Sequence, residues 1–143
     1  MKIGYIGLGR MGKNMVRRLL EQEIEVVAWN RSQEPIKNLK FEISNLNSNL
    51  ILKIKNYLTI ADSIENLTEK LDTPRIIWLM LPAGEVTDQY IDQLIPLLSP
   101  GDLVIDGANS FYQDSLRRAE KLGKKDIHFM DIGVSGGPAG ARN

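Results

Sequence analysis

Apolar runs of strand length alternate with segments of helical period along the whole chain, and this alternation limits the possible folds more than any other feature. The segment after the first run, Lys2 to Ile6, places its apolar residues on one face of a helix: Met11, Met15, Val16, Leu19 and Leu20. Strands and helices in repeated succession are typical of βαβ units, which form parallel sheets. We therefore expect an α/β fold with a doubly wound, mainly parallel sheet.

The same patterns predict where the elements lie. Strands are expected at residues 2–6, 25–29, 75–81, 103–106 and 127–132, with a further strand within 51–60, and helical spacing continues from 86 to 98. Capping boxes predict two helix starts, one at Asp62 with Glu65 and one at Ser110 with Gln113. Residues 37–57 are rich in Asn and keep no steady apolar period, so 41–49 are predicted to form an irregular surface excursion.

Length and composition exclude several classes of protein. A chain of 143 residues suits one compact domain, so residues 1–143 are predicted to be a single domain. Eighteen basic and eighteen acidic residues cancel, which argues against binding to nucleic acid or to an anionic membrane and favours a small-molecule partner. Without cysteine and with one histidine the chain has little from which to build a metal site, so no metal is expected. No leader or apolar membrane-spanning segment is evident, and a cytoplasmic location is predicted.

Three glycines after the first predicted strand form the pattern G-x-G-x-x-G. At this position Gly7 would make a tight turn, Gly9 would let the backbone approach a pyrophosphate, and Gly12 would pack the helix closely on the strand. The helix N–H groups would then face the anion. The pattern predicts a dinucleotide site, whereas a plain strand-turn-helix that uses glycine for its turn is the alternative.

The end of the second strand distinguishes the two nicotinamide dinucleotides. An acidic residue there would bind the ribose 2′-hydroxyl of NAD, whereas an arginine accommodates the 2′-phosphate of NADP. This chain has Asn30, Arg31 and Ser32 at that place, so NADP is favoured. NAD stays possible if Arg31 is only a solvated surface residue and Glu34 takes the ribose.

Three segments together resemble decarboxylating 6-phosphogluconate dehydrogenase. They are Gly-Leu-Gly-Arg-Met-Gly-Lys-Asn-Met at 7–15, Ile-Asp-Gly-Ala-Asn-Ser-Phe-Tyr-Gln-Asp-Ser at 105–115 with Arg117-Arg118 after it, and Asp-Ile-Gly-Val-Ser-Gly-Gly-Pro at 131–138. Ala108 departs from the family, which often has a second glycine there. The resemblance implies a Rossmann-type NADP-binding domain that stands N-terminal to a helical substrate domain, and this chain stops at Asn143, before that domain.

The resemblance also implies roles for individual residues. The cofactor would be bound by Gly7, Leu8, Gly9, Arg10, Met11, Gly12, Asn30, Arg31, Ser32, Leu81, Pro82 and Ala83. Asn109 would touch both cofactor and substrate, and Ser135, Gly136 and Gly137 would hold the sugar acid. The residues themselves leave simpler alternatives open: a helix cap at Asn109-Ser110 and a flexible turn at 135–137.

The reaction of that family passes a hydride from carbon 3 of 6-phosphogluconate to NADP, after which carbon dioxide leaves and ribulose 5-phosphate remains, a step of the pentose phosphate pathway and of gluconate utilization. Its catalytic lysine and glutamate belong to the helical domain, so the chain alone is expected to be inactive, and the full-length protein is expected to be a homo-oligomer. Two alternatives stay open: a β-hydroxyacid dehydrogenase relative and a non-catalytic nucleotide-binding module.

Overall fold

The sheet is parallel throughout and is built outward from its centre. A computed structural model describes residues 1–47, 51 and 54–141. In these residues the strands are β1 (Lys2–Ile6), β2 (Glu25–Trp29), β3 (Leu58–Ile60), β4 (Ile76–Leu79), β5 (Leu103–Asp106) and β6 (His128–Asp131). Their order is β3-β2-β1-β4-β5-β6, with every neighbouring pair parallel. The doubly wound α/β fold is therefore confirmed.

Helices cover the two faces of the sheet. They are α1 (Arg10–Glu21), α2 (Gln33–Ser44), α3 (Ile64–Glu69), α4 (Glu85–Leu94), α5 (Tyr112–Gly123) and the short α6 (Gly137–Gly140), with a 3₁₀ turn at Lys55–Tyr57. Val16 of α1 and Leu39 of α2 belong to one buried cluster. Leu67, Ile91 and Leu122 of α3, α4 and α5 belong to the other. In the described part of the chain, no helix is long and apolar enough to cross a membrane.

The chain changes winding direction between β1 and β4, which are neighbours in the sheet. The loop after β1 leads to a helix on one face, and the loop after β4 leads to a helix on the other. Because these loops diverge, a crevice opens beyond the carboxyl ends of the two strands. Sheets of this kind bind their ligands at that point.

Helix α1 lies very close to the loop that follows β1. Gly7 has a φ of 102°, which L side chains rarely adopt, and a Cβ there would stand 2.3 Å from the Met80 carbonyl oxygen. A Cβ at Gly12 would stand 2.0 Å from the carbonyl oxygen of Gly7. Both neighbours are backbone atoms, so the tight turn and the tight packing expected at these two glycines are confirmed.

The region predicted to be irregular contains a regular helix. The prediction for residues 41–49 was wrong at its start, since α2 continues to Ser44; residues 48 and 49 lie outside the described residues. Ile36, Leu39 and Ile43 are buried at helical spacing on α2. Pro35 is tolerated there because the N–H groups of the first helical turn have no acceptor within the helix, so a proline removes no helical hydrogen bond. The further strand predicted within 51–60 is confirmed as β3.

Both predicted capping boxes were wrong. Ser63, not Asp62, caps α3, and its hydroxyl oxygen accepts from the Asn66 N–H at 3.0 Å. Helix α5 begins at Tyr112, and its N-cap residue is Phe111, which has no side-chain acceptor; the Ser110 hydroxyl donates to Asp106 instead. Three elements are also shorter than predicted: the strand expected over 75–81 covers Ile76–Leu79, the helix expected over 86–98 ends at Leu94, and the strand expected over 127–132 covers His128–Asp131.

We expect Gly12→Ala to lower the free energy of unfolding by about 3 kcal/mol, because the added methyl group meets backbone that cannot move aside. Gly9→Ala is the matched control, since a Cβ there meets no atom within 4 Å and its φ of −62° suits any residue. The control should lose at most about 1 kcal/mol, as at other N-cap glycines. Urea unfolding of both variants is the measurement, and equal losses would contradict the close approach of α1.

Candidate functional site

Two adjoining clefts occupy the crevice beyond β1 and β4. They share Gly9, Met80, Leu81 and Pro82. One continues past the end of β2 and is also lined by Gly7, Asn30, Arg31, Ser32, Pro35, Val86 and Tyr90. The other continues toward the end of β5 and is also lined by Arg10, Met11, Gly12, Gly107, Ala108 and Asn109. The two clefts meet over Gly9, so an elongated ligand in two parts would be held at its middle by the start of α1.

The N-terminus of α1 carries backbone N–H groups that no side chain caps. Gly9 is the N-cap residue, and the first turn contains no acidic residue. The first N–H groups of a helix lack partners within it, and the positive end of the helix dipole lies there. A Cβ at Gly9 would meet no atom within 4 Å, so the space in front of these groups is open. This end of α1 fits an anion such as a pyrophosphate.

Asn30 braces the glycine loop from the end of β2. Its Oδ1 accepts from the Leu8 N–H at 2.8 Å, and its Nδ2 donates to the Ser32 carbonyl oxygen at 2.9 Å. The side chain of Leu8 is 1% exposed and packs in the core, so Asn30 contacts Leu8 through its backbone. Asn30 therefore fixes the shape of the first cleft through both of its polar atoms.

Arg31 is exposed and has no hydrogen bond or ion pair with the residues that the structure describes. Glu34, the alternative ribose ligand, is also exposed and lies in the first turn of α2. An exposed guanidinium without a protein partner can form charge-assisted hydrogen bonds to a phosphate group. The first cleft thus offers a cation at the place where a 2′-phosphate was predicted.

The loop after β4 supplies the wall that both clefts share. Leu81 and Pro82 line the two clefts, and the Pro82 carbonyl oxygen accepts from the buried Thr87 hydroxyl at 2.9 Å. Ala83 is exposed and does not line either cleft. Gly84 follows with a φ of 89° and caps α4. The wall is therefore fixed at Pro82 and turns sharply after Ala83.

Asn109 joins the loop after β5 to the loop after β6. Its φ of 55° is in the left-handed region, which non-glycine residues adopt rarely. The side-chain amide donates from Nδ2 to the Val134 carbonyl oxygen at 2.8 Å, and its Oδ1 accepts from the Val134 N–H at 2.7 Å. Asn109 therefore lines the second cleft and also fixes the residue next to Ser135.

The predicted substrate loop lies beside the two clefts and does not line them. Ser135, Gly136 and Gly137 are exposed, and both glycines have positive φ values, 91° and 60°. Ser135 lines a separate cleft against α1, together with Met15, Leu19 and Trp78. The structure therefore connects the predicted substrate loop to the predicted cofactor clefts through Asn109.

A buried arginine behind the second cleft is a functional candidate that the sequence reasoning missed. Arg118 is 1% exposed and Asp106 is fully buried, and Arg118 Nη1 lies 2.9 Å from Asp106 Oδ2. The spacing of Ser115, Arg118 and Leu122, all buried, puts Arg118 on the inward face of α5. Two sequence signals could have indicated this pair: the helical spacing of these residues, and the carboxylate of Asp106 at the end of the apolar run of β5.

The same cluster lowers the pKa of Asp88. Burial alone raises the pKa of this carboxyl, but hydrogen bonds from Arg117 at 2.8 Å and Arg118 at 2.7 Å outweigh it. The net pKa lies below the ordinary value for aspartate. Asp88 therefore keeps its charge beside the two guanidinium groups.

One family model matches almost the whole of this chain. Residues 2–143 match the family model of the NAD binding domain of 6-phosphogluconate dehydrogenase. The decarboxylating 6-phosphogluconate dehydrogenases of Haemophilus ducreyi and Chlamydia pneumoniae are 43% and 40% identical over 142 and 141 residues. Both alignments cover 99% of this chain but 27% and 28% of the relatives. The chain therefore spans little more than a quarter of these relatives' length.

Solved structures agree with this comparison. A Plasmodium falciparum 6-phosphogluconate dehydrogenase, described in its apo form and in complexes with its cofactor NADP+ and its substrate 6-phosphogluconate, superposes with a TM-score of 0.86. It is 30% identical, with 99% of this chain and 29% of that chain covered. A 3-hydroxyisobutyrate dehydrogenase of Mycobacterium tuberculosis reaches a TM-score of 0.80 at 20% identity, covering 99% and 43% of the two chains. At that identity the second likeness concerns the fold.

We expect Asp88→Asn to lower the free energy of unfolding at pH 7 by roughly 1.5 to 3 kcal/mol, the range for a hydrogen bond to a charged group. Because the folded pKa of Asp88 is lowered, the carboxylate stabilises the fold above its unfolded pKa, and this contribution is lost as the pH falls through the folded pKa. The stability gap between wild type and variant should therefore narrow below a pH of about 4. Urea unfolding at several pH values measures it.

Asp92→Asn is the matched control, since Asp92 also lies on α4 and pairs with α5, through the exposed Lys121. An exposed pair of this kind should contribute less than about 1 kcal/mol at any pH. The role of the Asp88 carboxylate would be contradicted if Asp88→Asn lost as little stability as the control. It would also be contradicted if the stability difference between wild type and Asp88→Asn widened in acid.

Proposed function

The chain belongs to the family of NAD-binding domains of 6-phosphogluconate dehydrogenase, and we propose that it binds NADP as the cofactor domain of an enzyme that oxidatively decarboxylates 6-phosphogluconate to ribulose 5-phosphate. The observation that carries this proposal is the pair of clefts that meet over Gly9, with the uncapped start of α1 between them. A dinucleotide has the matching form, two nucleosides joined by a pyrophosphate.

We assign the first cleft to the adenosine half of the cofactor. Arg31 would bind the 2′-phosphate, and Ser32 and Asn30 line the cleft beside it. Gly7 to Gly12 would hold the pyrophosphate with backbone N–H groups, and Arg10 adds a cation at the same helix end. The N–H of Leu8 is already bonded to Asn30, so Leu8 would contribute by shaping the loop.

We assign the second cleft to the nicotinamide half, whose chemistry when bound is to accept a hydride from carbon 3 of the sugar acid. Leu81 and Pro82 would form its apolar wall, and Met11 also lines this cleft. Asn109 would orient cofactor and substrate with the amide N–H that Val134 does not use. Ala83 would shape the turn behind this wall.

Substrate binding is assigned to the loop that Asn109 fixes. Ser135 offers a hydroxyl, and the backbone of Gly136 and Gly137 is exposed beside it. The general base and acid of the reaction, a lysine and a glutamate by resemblance, would come from the helical domain that follows this one in relatives. Residues 1–143 would therefore supply cofactor binding and substrate positioning, while the homo-oligomer stays a prediction.

We expect Arg31→Ala to weaken the binding of NADP far more than that of NAD. Losing a charge-assisted contact to the 2′-phosphate should cost roughly 1.5 to 3 kcal/mol of NADP binding. NAD lacks that phosphate, so its affinity should change little. Isothermal titration of the chain with both dinucleotides at one salt concentration is the measurement.

Lys124→Ala is the control for overall charge. Lys124 is an exposed cation at the far end of α5, where it pairs with Glu120. Its removal should leave both affinities within about twofold, since exposed charges beyond a Debye length are screened. Equal losses of NADP and NAD affinity in Arg31→Ala would refute the 2′-phosphate assignment, and a selective loss of NAD in Glu34→Gln would assign the ribose to Glu34.

A second prediction concerns the substrate loop. We would place residues 1–141 in a complete enzyme, in exchange for the matching domain of the Haemophilus ducreyi relative, and test Asn109→Ala and Ser135→Ala. Each should lower kcat/KM by up to roughly tenfold, because each removes a hydrogen bond worth up to about 1.5 kcal/mol. In Ser135→Ala the affinity for NADP should stay close to that of the unaltered chimera, because Ser135 does not line the cofactor clefts. Near-normal kcat/KM in both variants would make their role structural.

A further inference from the structure

We propose that Arg118 is a positioning residue that holds the two loops of the nicotinamide cleft at a fixed separation, an inference that rests on the proposed function. Its guanidinium is buried in α5 and bonds to three parts of the chain. Nε donates to Asp88 Oδ1 at 2.7 Å, and Nη2 donates to the Gly84 carbonyl oxygen at 3.0 Å. Nη1 donates to Asp106 Oδ2 at 2.9 Å and to the Ser110 hydroxyl at 2.6 Å.

These partners belong to the two walls of one cleft. Gly84 ends the loop that carries Leu81 and Pro82, and Ser110 directly follows Asn109. The ladder between β4 and β5 ends with the bond from the Gly107 N–H to the Leu79 carbonyl oxygen, at 2.9 Å. Beyond that bond the loops diverge, and the Arg118 guanidinium bonds to both of them. A guanidinium can hold two loops at once because it is planar and its several N–H donors point in fixed directions.

Arg118 also keeps Asn109 in its left-handed conformation, acting through Asp106. One carboxylate oxygen of Asp106 accepts from the Ala108 N–H at 2.9 Å, and the other accepts from the Ser110 hydroxyl at 2.7 Å. The residues on both sides of Asn109 are therefore held by one carboxylate. That carboxylate is fully buried, and a buried charge needs a hydrogen-bonded partner of opposite sign, which Arg118 provides.

The effect reaches the substrate loop through Asn109. Its amide is bonded to both polar backbone groups of Val134, and Ser135 is the next residue. If the backbone of residues 108–110 moves, the Asn109 amide is no longer held in place and its two hydrogen bonds to Val134 are lost. The Val134 N–H therefore reports the position of Asn109 without any ligand present.

The neighbouring arginine is a matched control. Arg117 carries the same charge and also bonds to Asp88, at 2.8 Å, but its other partner among the described residues is Asp114 on its own helix. Its side chain is 54% exposed and forms no hydrogen bond with Gly84 or Ser110. A substitution at 117 therefore changes the charge pairing between α4 and α5 while leaving the two loops bonded to Arg118.

The test compares Arg118→Lys with Arg117→Lys in the whole chain. The ligands are NADP and adenosine 2′,5′-bisphosphate, which carries the adenosine half of NADP and lacks nicotinamide. A lysine ammonium keeps the charge at 118 but cannot reach four partners in the fixed directions of a guanidinium. For Arg118→Lys we expect roughly tenfold weaker NADP binding, bisphosphate binding within about twofold, and roughly tenfold faster hydrogen exchange at the Val134 amide. Arg117→Lys should leave all three unchanged.

A purely structural Arg118 would lower stability without changing the ratio of the two affinities. Equal weakening of both ligands, or an unchanged exchange rate at Val134, overturns the proposal. Ser110→Ala removes the hydrogen bond between the guanidinium and the loop after β5. If Arg118→Lys does not fold, the same two affinities and the same exchange rate are measured in Ser110→Ala. A wild-type chain that binds neither ligand would refute the proposed function, whereas the Val134 exchange rate would still support or overturn the positioning role.

Discussion

The contact between the backbone of Gly7 and the start of α1 is the constraint on which the rest of the site depends. Because Gly12 has no side chain, the helix axis comes close enough for its first N–H groups to open directly into the crevice between β1 and β4. The same contact leaves Gly9 facing open space. A helix held one methyl group farther away would move its N–H groups relative to Arg31 on one side and Asn109 on the other, so a single backbone contact aligns both clefts.

The sequence predicted most of the fold because its dominant signals are local. Alternating apolar runs predicted the parallel sheet, and the three glycines predicted the turn and the packing of α1. Helix α2 was missed because its buried residues, Ile36, Leu39 and Ile43, lie among exposed Lys and Asn that hide the period. The cap of α3 was misplaced by one residue because Asp62 and Ser63 are both good caps, and the choice depends on backbone angles that composition does not show.

The candidate site was predicted unevenly for a physical reason. Residues that act through backbone geometry, such as Gly7 and Gly12, leave a pattern in the sequence. Arg118 leaves little, because a charged residue on a helix is usually solvated, and its burial follows from Asp106 lying twelve positions earlier at the end of a neighbouring strand. The bond between Asn109 and Val134 joins residues 25 positions apart, and it depends on the left-handed backbone at Asn109.

The sheet ends at β6, whose outer edge carries backbone groups without a neighbouring strand in the described part of the chain. Met130 on that strand is 47% exposed and Leu116 on the adjacent helix is 66% exposed. Unpaired strand edges are templates for aggregation, and proteins commonly oppose it with charge. This chain has little net charge to oppose it, because its eighteen basic and eighteen acidic residues cancel and the isoelectric point of the sequence is about 6.6. Its colloidal stability should therefore be poorest near neutral pH, and buffers well away from the isoelectric point should keep concentrated samples monodisperse.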